Sequence, residues 1–156
     1  MTLLMTFLTT FRRPSVGVLT VGVVWDIPVV ARPTRPDVPG AHVARLRAIF
    51  ARLPECREED AWVGVRWRVA GTTATVAHVF GGEDQLFRIV FRAEPEEVMA
   101  FQHLGAPYFK ADWGGNVVGM LIDDDTDWQE LGELLTDSFC LQAPQRLVDL
   151  VDRPRA

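Results

Sequence analysis

Residues 62–92 run WVGVRWRVAGTTATVAHVFGGEDQLFRIVFR, and the period of this stretch decides the fold class. In Trp62–Val69, Val63, Val65, Trp67 and Val69 alternate with Gly64, Arg66 and Arg68. That is the period-two pattern of a half-buried strand with an arginine face. Ala70-Gly71 turns the chain, Thr73–Phe80 forms a second strand with looser alternation, and Gly81-Gly82-Glu83-Asp84 turns it again. Leu86–Arg92 then sets Phe87, Ile89 and Phe91 on one face and Arg88 and Arg92 on the other. Strands joined by such short turns predict an antiparallel sheet.

Outward from this core the period changes to that of helices. Upstream, after Pro39-Gly40, Leu46, Ile49, Phe50 and Leu53 fall at i, i+3, i+4 and i+7, one apolar stripe, and Pro54 ends the helix. Downstream, Glu94-Pro95-Glu96-Glu97 opens a second helix with proline and acids in its first turn, Val98, Phe101 and Leu104 face inward, and Gly105 closes it. Two more strands, Tyr108–Trp113 and Asn116–Ile122, join through Gly114-Gly115. A third helix is expected from Thr126, where Thr126-x-x-Gln129 has the capping-box form, with Trp128, Leu131, Leu135 and Phe139 as its buried stripe. A short helix from Pro144 carries Leu147, Val148, Leu150 and Val151. The reading is a two-layer α+β domain, order α-β-β-β-α-β-β-α-α, with an antiparallel sheet and helices packed on one face.

Residues 37–156 form this domain, and residues 1–36 read as an N-terminal extension, a disordered tail or an over-extended start. The apolar run Ser15–Ala31 is interrupted by Asp26 and Pro28, too short and broken to span a membrane. A targeting peptide is the alternative, although no clear cleavage site follows Arg12-Arg13. Val21–Trp25 has strand-like composition.

Charge narrows the partners. Residues 37–156 carry 12 basic and 20 acidic side chains, a net charge of −8, a poor footprint for nucleic acid outside a local patch. Cys56 and Cys140 stand far apart with no metal-ligand spacing and read as free thiols of a cytoplasmic protein. His42, His78 and His103 fall on three different elements, and a Cys–His pair, if one forms in space, would join Cys140 to one of them. Asp123, Asp125 and Asp127 open like a calcium loop, but Trp128 stands where such a loop needs glycine and Leu134 where it needs an acid. The aspartates therefore read as helix-capping groups, and no metal or cofactor is expected.

The ordered set of segments resembles the MmcQ/YjbR family. The resemblance is carried by Pro107–Trp128 (PYFKADWGGNVVGMLIDDDTDW), by Leu131–Leu147 (LGELLTDSFCLQAPQRL), and upstream by Leu46–Pro54 and Ala61–Arg68. It spans about residues 40–154. It implies a two-layer domain with the order α-β3-α-β2-α, and it implies DNA binding, the label such chains commonly carry. This chain departs from the family pattern at Lys110-Ala111-Asp112-Trp113-Gly114-Gly115, where other members are richer in Asn with Lys or His, so the resemblance implies less phosphate contact at that hairpin.

Three functions follow as expectations. The first is a non-enzymatic DNA-binding domain gripping phosphate with Arg66, Arg68, Arg88 and Arg92, with Lys110 nearby. The second is an interaction module for a protein or small ligand, using the exposed sheet face with Trp62 and Trp113, the two tryptophans that lie off the apolar stripes. Trp67 and Trp128 read as core. An enzyme ranks third, because the sequence offers no nucleophile–base–orienter set.

Overall fold

A computed structural model describes residues 34–153. The extension expected over 1–36, with Val21–Trp25, lies outside the described residues except for its last three positions. Those three run beside the turn that follows residue 80: the Gln85 side-chain amide donates to the Thr34 carbonyl at 3.2 Å, and Arg35 lies 3.6 Å from Glu83.

The described chain holds four helices and six strands in the order α1 (Gly40–Phe50), β1 (Cys56–Asp60), β2 (Val65–Val69), β3 (Thr75–Gly81), β4 (Phe87–Arg92), α2 (Pro95–Leu104), β5 (Tyr108–Lys110), β6 (Val117–Ile122), α3 (Trp128–Gln142) and α4 (Gln145–Val148). The strands form one antiparallel sheet, β1-β2-β3-β4-β6-β5. Fold class and layering are those the periodicity predicts. The element order gains one strand, β1, whose sequence Cys-Arg-Glu-Glu-Asp has no apolar alternation. A charged edge strand buries little and blunts the open edge of the sheet, so period-two reasoning passes over it.

All four helices contribute to one core. Leu46 and Phe50 of α1, Val98 of α2, Leu131, Leu135 and Phe139 of α3 and Leu147 of α4 pack with Trp67, Val79, Ile89, Phe91, Val118 and Met120 of the sheet. The Phe50 ring stacks on Trp67 at a centroid distance of 4.5 Å. Among the described residues the opposite face carries no helix. Its small apolar cluster is Phe80, Val90, Ala111 and Val117, flanked by Val63 and Phe109.

Local details depart from the sequence reading: β5 stops at Lys110 rather than running on to Trp113, and Leu104, expected to face inward, is exposed. The strand expected from Trp62 begins at Val65, because the backbone at Gly64 is left-handed (φ +72°) and bends the chain across β3. The α3 cap is Asp127 rather than Thr126: the Asp127 carboxylate accepts from the Gln129 and Glu130 amides at 3.0 Å each. Thr126 instead takes the Asp123 amide at 2.8 Å.

Candidate functional site

Directly paired residues in an antiparallel sheet share a face, so the register places every arginine. Arg66 faces His78, and His78 faces Val90. Arg88 lies between Phe80 and Leu121, and Arg92 opposite Val117. All four expected arginines, Arg66, Arg68, Arg88 and Arg92, therefore project from the helix-free face. Lys110 does not join them: it pairs with Val118, a residue of the helix-covered core, and so belongs to the other face at the sheet's edge. The expected contribution of Lys110 to this cluster is thereby corrected; the short β5 sets its register.

Most of this arginine face is already neutralised. Glu59 of β1 takes Arg66 at 3.2 Å and Arg68 at 3.5 Å. Asp84 takes Arg88 at 2.6 Å, and that hydrogen bond holds the Asp84 carboxyl below its ordinary range. Arg92 differs. Its Nη1 donates to the neutral amide oxygen of Asn116 at 2.9 Å, and among the described residues it has no acidic partner.

Arg66 and Arg92 meet the two tryptophans in one cleft. Trp62, Arg66, His78, Val90, Arg92 and Trp113 line a space of about 390 Å³ on the helix-free face. Among the described residues, every charged side chain in its lining is cationic. Trp113, 56% exposed, covers the floor with one side of its ring: it stacks on His78 at 5.8 Å and leans on Phe80 at 5.4 Å. Trp62 stands on the bend between β1 and β2 with its side chain fully exposed, and among the described residues it touches no other aromatic ring. Trp67, in contrast, is 2% exposed in the core.

His78 ties the bend to the sheet. Its Nε2 lies 2.6 Å from the Val63 carbonyl, which makes Nε2 the donor and leaves Nδ1 with its lone pair. Burial pushes the imidazole below its ordinary pKa, the hydrogen bond to Val63 opposes this, and the Arg66 charge adds to it. The folded chain thus binds the His78 proton less readily than the unfolded chain. In the window between that lowered value and the ordinary histidine value of about 6.5, the unfolded state holds more protons and stability rises with pH. Urea unfolding of the wild type below about pH 6.5 is expected to show that positive slope, and His78→Gln, which keeps a donor for Val63, is expected to flatten it. An unchanged slope in the variant contradicts the assignment.

The sequence reading singled out the cleft's tryptophans and arginines but considered His78 only as one possible partner of Cys140. Its signal was present: His78 lies one strand over from Arg66 and alternates with Ala77 and Val79, both core residues. The other two histidines lie elsewhere. His42 is buried in α1, stacked on Trp128 at 5.5 Å, and His103 ends α2 with Nδ1 3.2 Å from the Met99 carbonyl. Burial raises the Cys56 thiol to about 12 and raises Cys140 as well, which leaves both as poor nucleophiles at neutral pH. Asp123 and Asp127 spend carboxylate oxygens on backbone amides of their own turn.

No family model matches the chain, and no curated protein is significantly similar to it. Among solved structures, the chain is similar to Deinococcus radiodurans protein DR2400, described by the domain DUF419, with a TM-score of 0.55 and 20% identity over 64% of this chain and 76% of that one. At that identity the likeness is one of fold. Among the described residues no helix is long and apolar enough to cross a membrane.

Proposed function

We propose that this chain is a non-enzymatic, cytoplasmic binding domain whose working surface is the cleft on the helix-free face of the sheet, and that it takes a small ligand or a short segment there in preference to duplex DNA. The observation that carries the reading is Trp62. A large aromatic side chain held fully exposed on a glycine bend contributes nothing to the core, yet it stands at the rim of a cleft whose charges are all positive. The resemblance to MmcQ/YjbR chains implies a binding role. The arginine pairing weighs against the duplex. Phosphate grip of useful strength needs several unpaired cations, and three of the four arginines on this face already hold carboxylates.

The test pairs two titrations of the full-length chain. Labelled duplex DNA, followed by anisotropy at about 0.1 M salt, is expected to bind no more tightly than the 10⁻⁴ to 10⁻⁶ M range, roughly, of non-specific contact. A thermal-shift panel of small metabolites is expected to yield ligands that stabilise the wild type and lose their effect in Trp62→Ala. Tight duplex binding that falls steeply with salt and is lost in Arg66→Ala would replace this reading by the DNA-binding one.

A further inference from the structure

We infer that the ligand of this cleft is a planar aromatic anion of mononucleotide size, its ring laid against Trp62 and Trp113 and its anionic group on Arg92 and Arg66. This deepens the proposed function and rests on it.

The chemistry of the lining points there in three steps. The first concerns charge. The domain is strongly acidic, with 20 acidic against 12 basic residues over 37–156, yet among the described residues the cleft lining contains two arginines and no acid. Such a local inversion attracts an anion and repels a cation. Arg92 is the group best placed to hold it, since its guanidinium meets only the Asn116 amide oxygen and a planar fork matches a carboxylate or phosphate. Arg66 is shared with Glu59. Beyond the cleft, Arg57 stands opposite Arg68 in register, with Glu59 the acid between Arg66 and Arg68, and the Nε of Arg68 is buried without a partner among the described residues. Of the cleft's two cations, Arg92 is the one without an acidic partner among the described residues.

The second step concerns shape. Trp113 is backed on one side by His78 and Phe80, which fixes the plane of its ring and leaves the remainder half-exposed, and Trp62 offers a second free ring at the rim. Rings held in this way stack a flat π-system and tolerate any base identity. The neutral Nδ1 of His78 adds an acceptor in the floor, since Nε2 is committed to Val63. The third step is size. A space of about 390 Å³ lies at the small end of ligand sites, which run from roughly 300 to 1,000 Å³. It takes one ring and one anionic group. A polynucleotide strand needs a continuing basic groove, and the arginines that would extend one, Arg68 and Arg88, are tied to Glu59 and Asp84.

The experiment titrates the full-length chain with adenosine 5′-monophosphate by calorimetry, and separately with adenosine, with inorganic phosphate and with a short single-stranded oligonucleotide. Two-dimensional NMR locates the perturbed residues. One molecule of the nucleotide is expected to bind per chain, shifting the indole signals of Trp62 and Trp113, and each half-ligand is expected to bind at least tenfold more weakly. Trp62→Ala removes one stacking partner and is expected to weaken the nucleotide by about 5- to 150-fold, the effect of losing one base–aromatic stack, while Trp62→Phe restores much of it. Arg92→Gln, which keeps a donor for Asn116, is expected to remove the preference for the nucleotide over adenosine. Because Trp62 is fully exposed, its variants fold as the wild type does.

Phosphate binding as tightly as the nucleotide, or binding that both variants leave intact, overturns the inference. So does an oligonucleotide that binds many-fold tighter than the nucleotide, which would make a strand the occupant. If the nucleotide leaves the cleft signals unmoved while metabolite-panel ligands shift them, the ligand class fails and the binding surface stands. If neither shifts them, the surface fails too.

Discussion

Replacing Ser138 by alanine is expected to cost the domain about 2–6 kcal/mol of stability, because one hydroxyl holds two backbone groups shielded from solvent at about 1–3 kcal/mol each. Ser138 lies on the inner face of α3 with no exposed surface. Its Oγ donates to the Val76 carbonyl at 2.6 Å and accepts from the Arg92 amide at 2.8 Å. Those two groups belong to neighbouring strands, and the ladder between β3 and β4 ends one pair short of them, at Ala77 and Phe91. The cause is a bulge. Trp67 pairs with Ala77 but Arg68 with Thr75, so Val76 is the extra residue of β3, and its carbonyl turns away from the ladder. The serine replaces the missing strand-to-strand bonds.

One helical turn on, the Gln142 side chain donates to the Thr75 carbonyl at 3.0 Å, so α3 is stitched to the bulged start of β3 at two points. Thr136→Ala is the control. The Thr136 hydroxyl bonds only the Gly132 carbonyl within its own helix, at 2.7 Å, a bond whose loss exposes no orphan, and a change within about 1 kcal/mol is expected. Equal losses for the two variants in urea unfolding would mean that Ser138 fills space and no more.

These contacts mark where the sequence stopped being legible. Period two separated Phe87, Ile89 and Phe91 from Arg88 and Arg92, and period 3.6 found Leu131, Leu135 and Phe139. Both patterns describe apolar faces, which is what hydrophobic burial writes into a sequence. Ser138 sits in the same inward stripe, three residues after Leu135, but a serine there carries no apolar signal, and its partners are backbone atoms of a bulge that no side-chain pattern announces. β1 was lost for the related reason that a charged edge strand hides in its polarity, and the loss mattered to the functional reading. Glu59, the acid that holds Arg66 and Arg68, is on β1. Without that strand the arginine face reads as a free cationic surface; with it, the unpaired charge contracts to Arg92 and the cleft beside it. Lys110 shows the remaining limit. Its face depends on a three-residue strand whose register is set by its partner, and one residue of slip inverts the face.

Gly64→Ala is expected to be the second large effect, and it couples stability to the site. The glycine has φ +72°, a conformation that costs an L-residue about 1–2 kcal/mol, and a Cβ there would also run into the backbone of Val79 and Phe80 in the adjoining strand. Neither obstacle yields, since both contacts are main chain. The bend must therefore lift from β3, which breaks the 2.6 Å contact between His78 and the Val63 carbonyl. A total loss of about 2–4 kcal/mol is expected, the left-handed backbone and the severed hydrogen bond together. Gly71→Ala isolates the first part: φ is +73° there as well, but no atom lies within 4 Å of the new methyl group, so about 1–2 kcal/mol is expected.

The two variants separate more sharply in their pH behaviour. Once the bend has lifted, His78 is no longer buried beneath it, the cause of its lowered pKa is gone, and its contribution to the rise of stability below about pH 6.5 should vanish in Gly64→Ala and persist in Gly71→Ala. Trp62, carried on the same bend, leaves the rim with it, so Gly64→Ala should also lose whatever the cleft binds although it alters no cleft side chain. A Gly64→Ala chain that keeps the wild-type pH slope and unfolds no earlier than Gly71→Ala would show that the bend is held by something other than its close approach to β3.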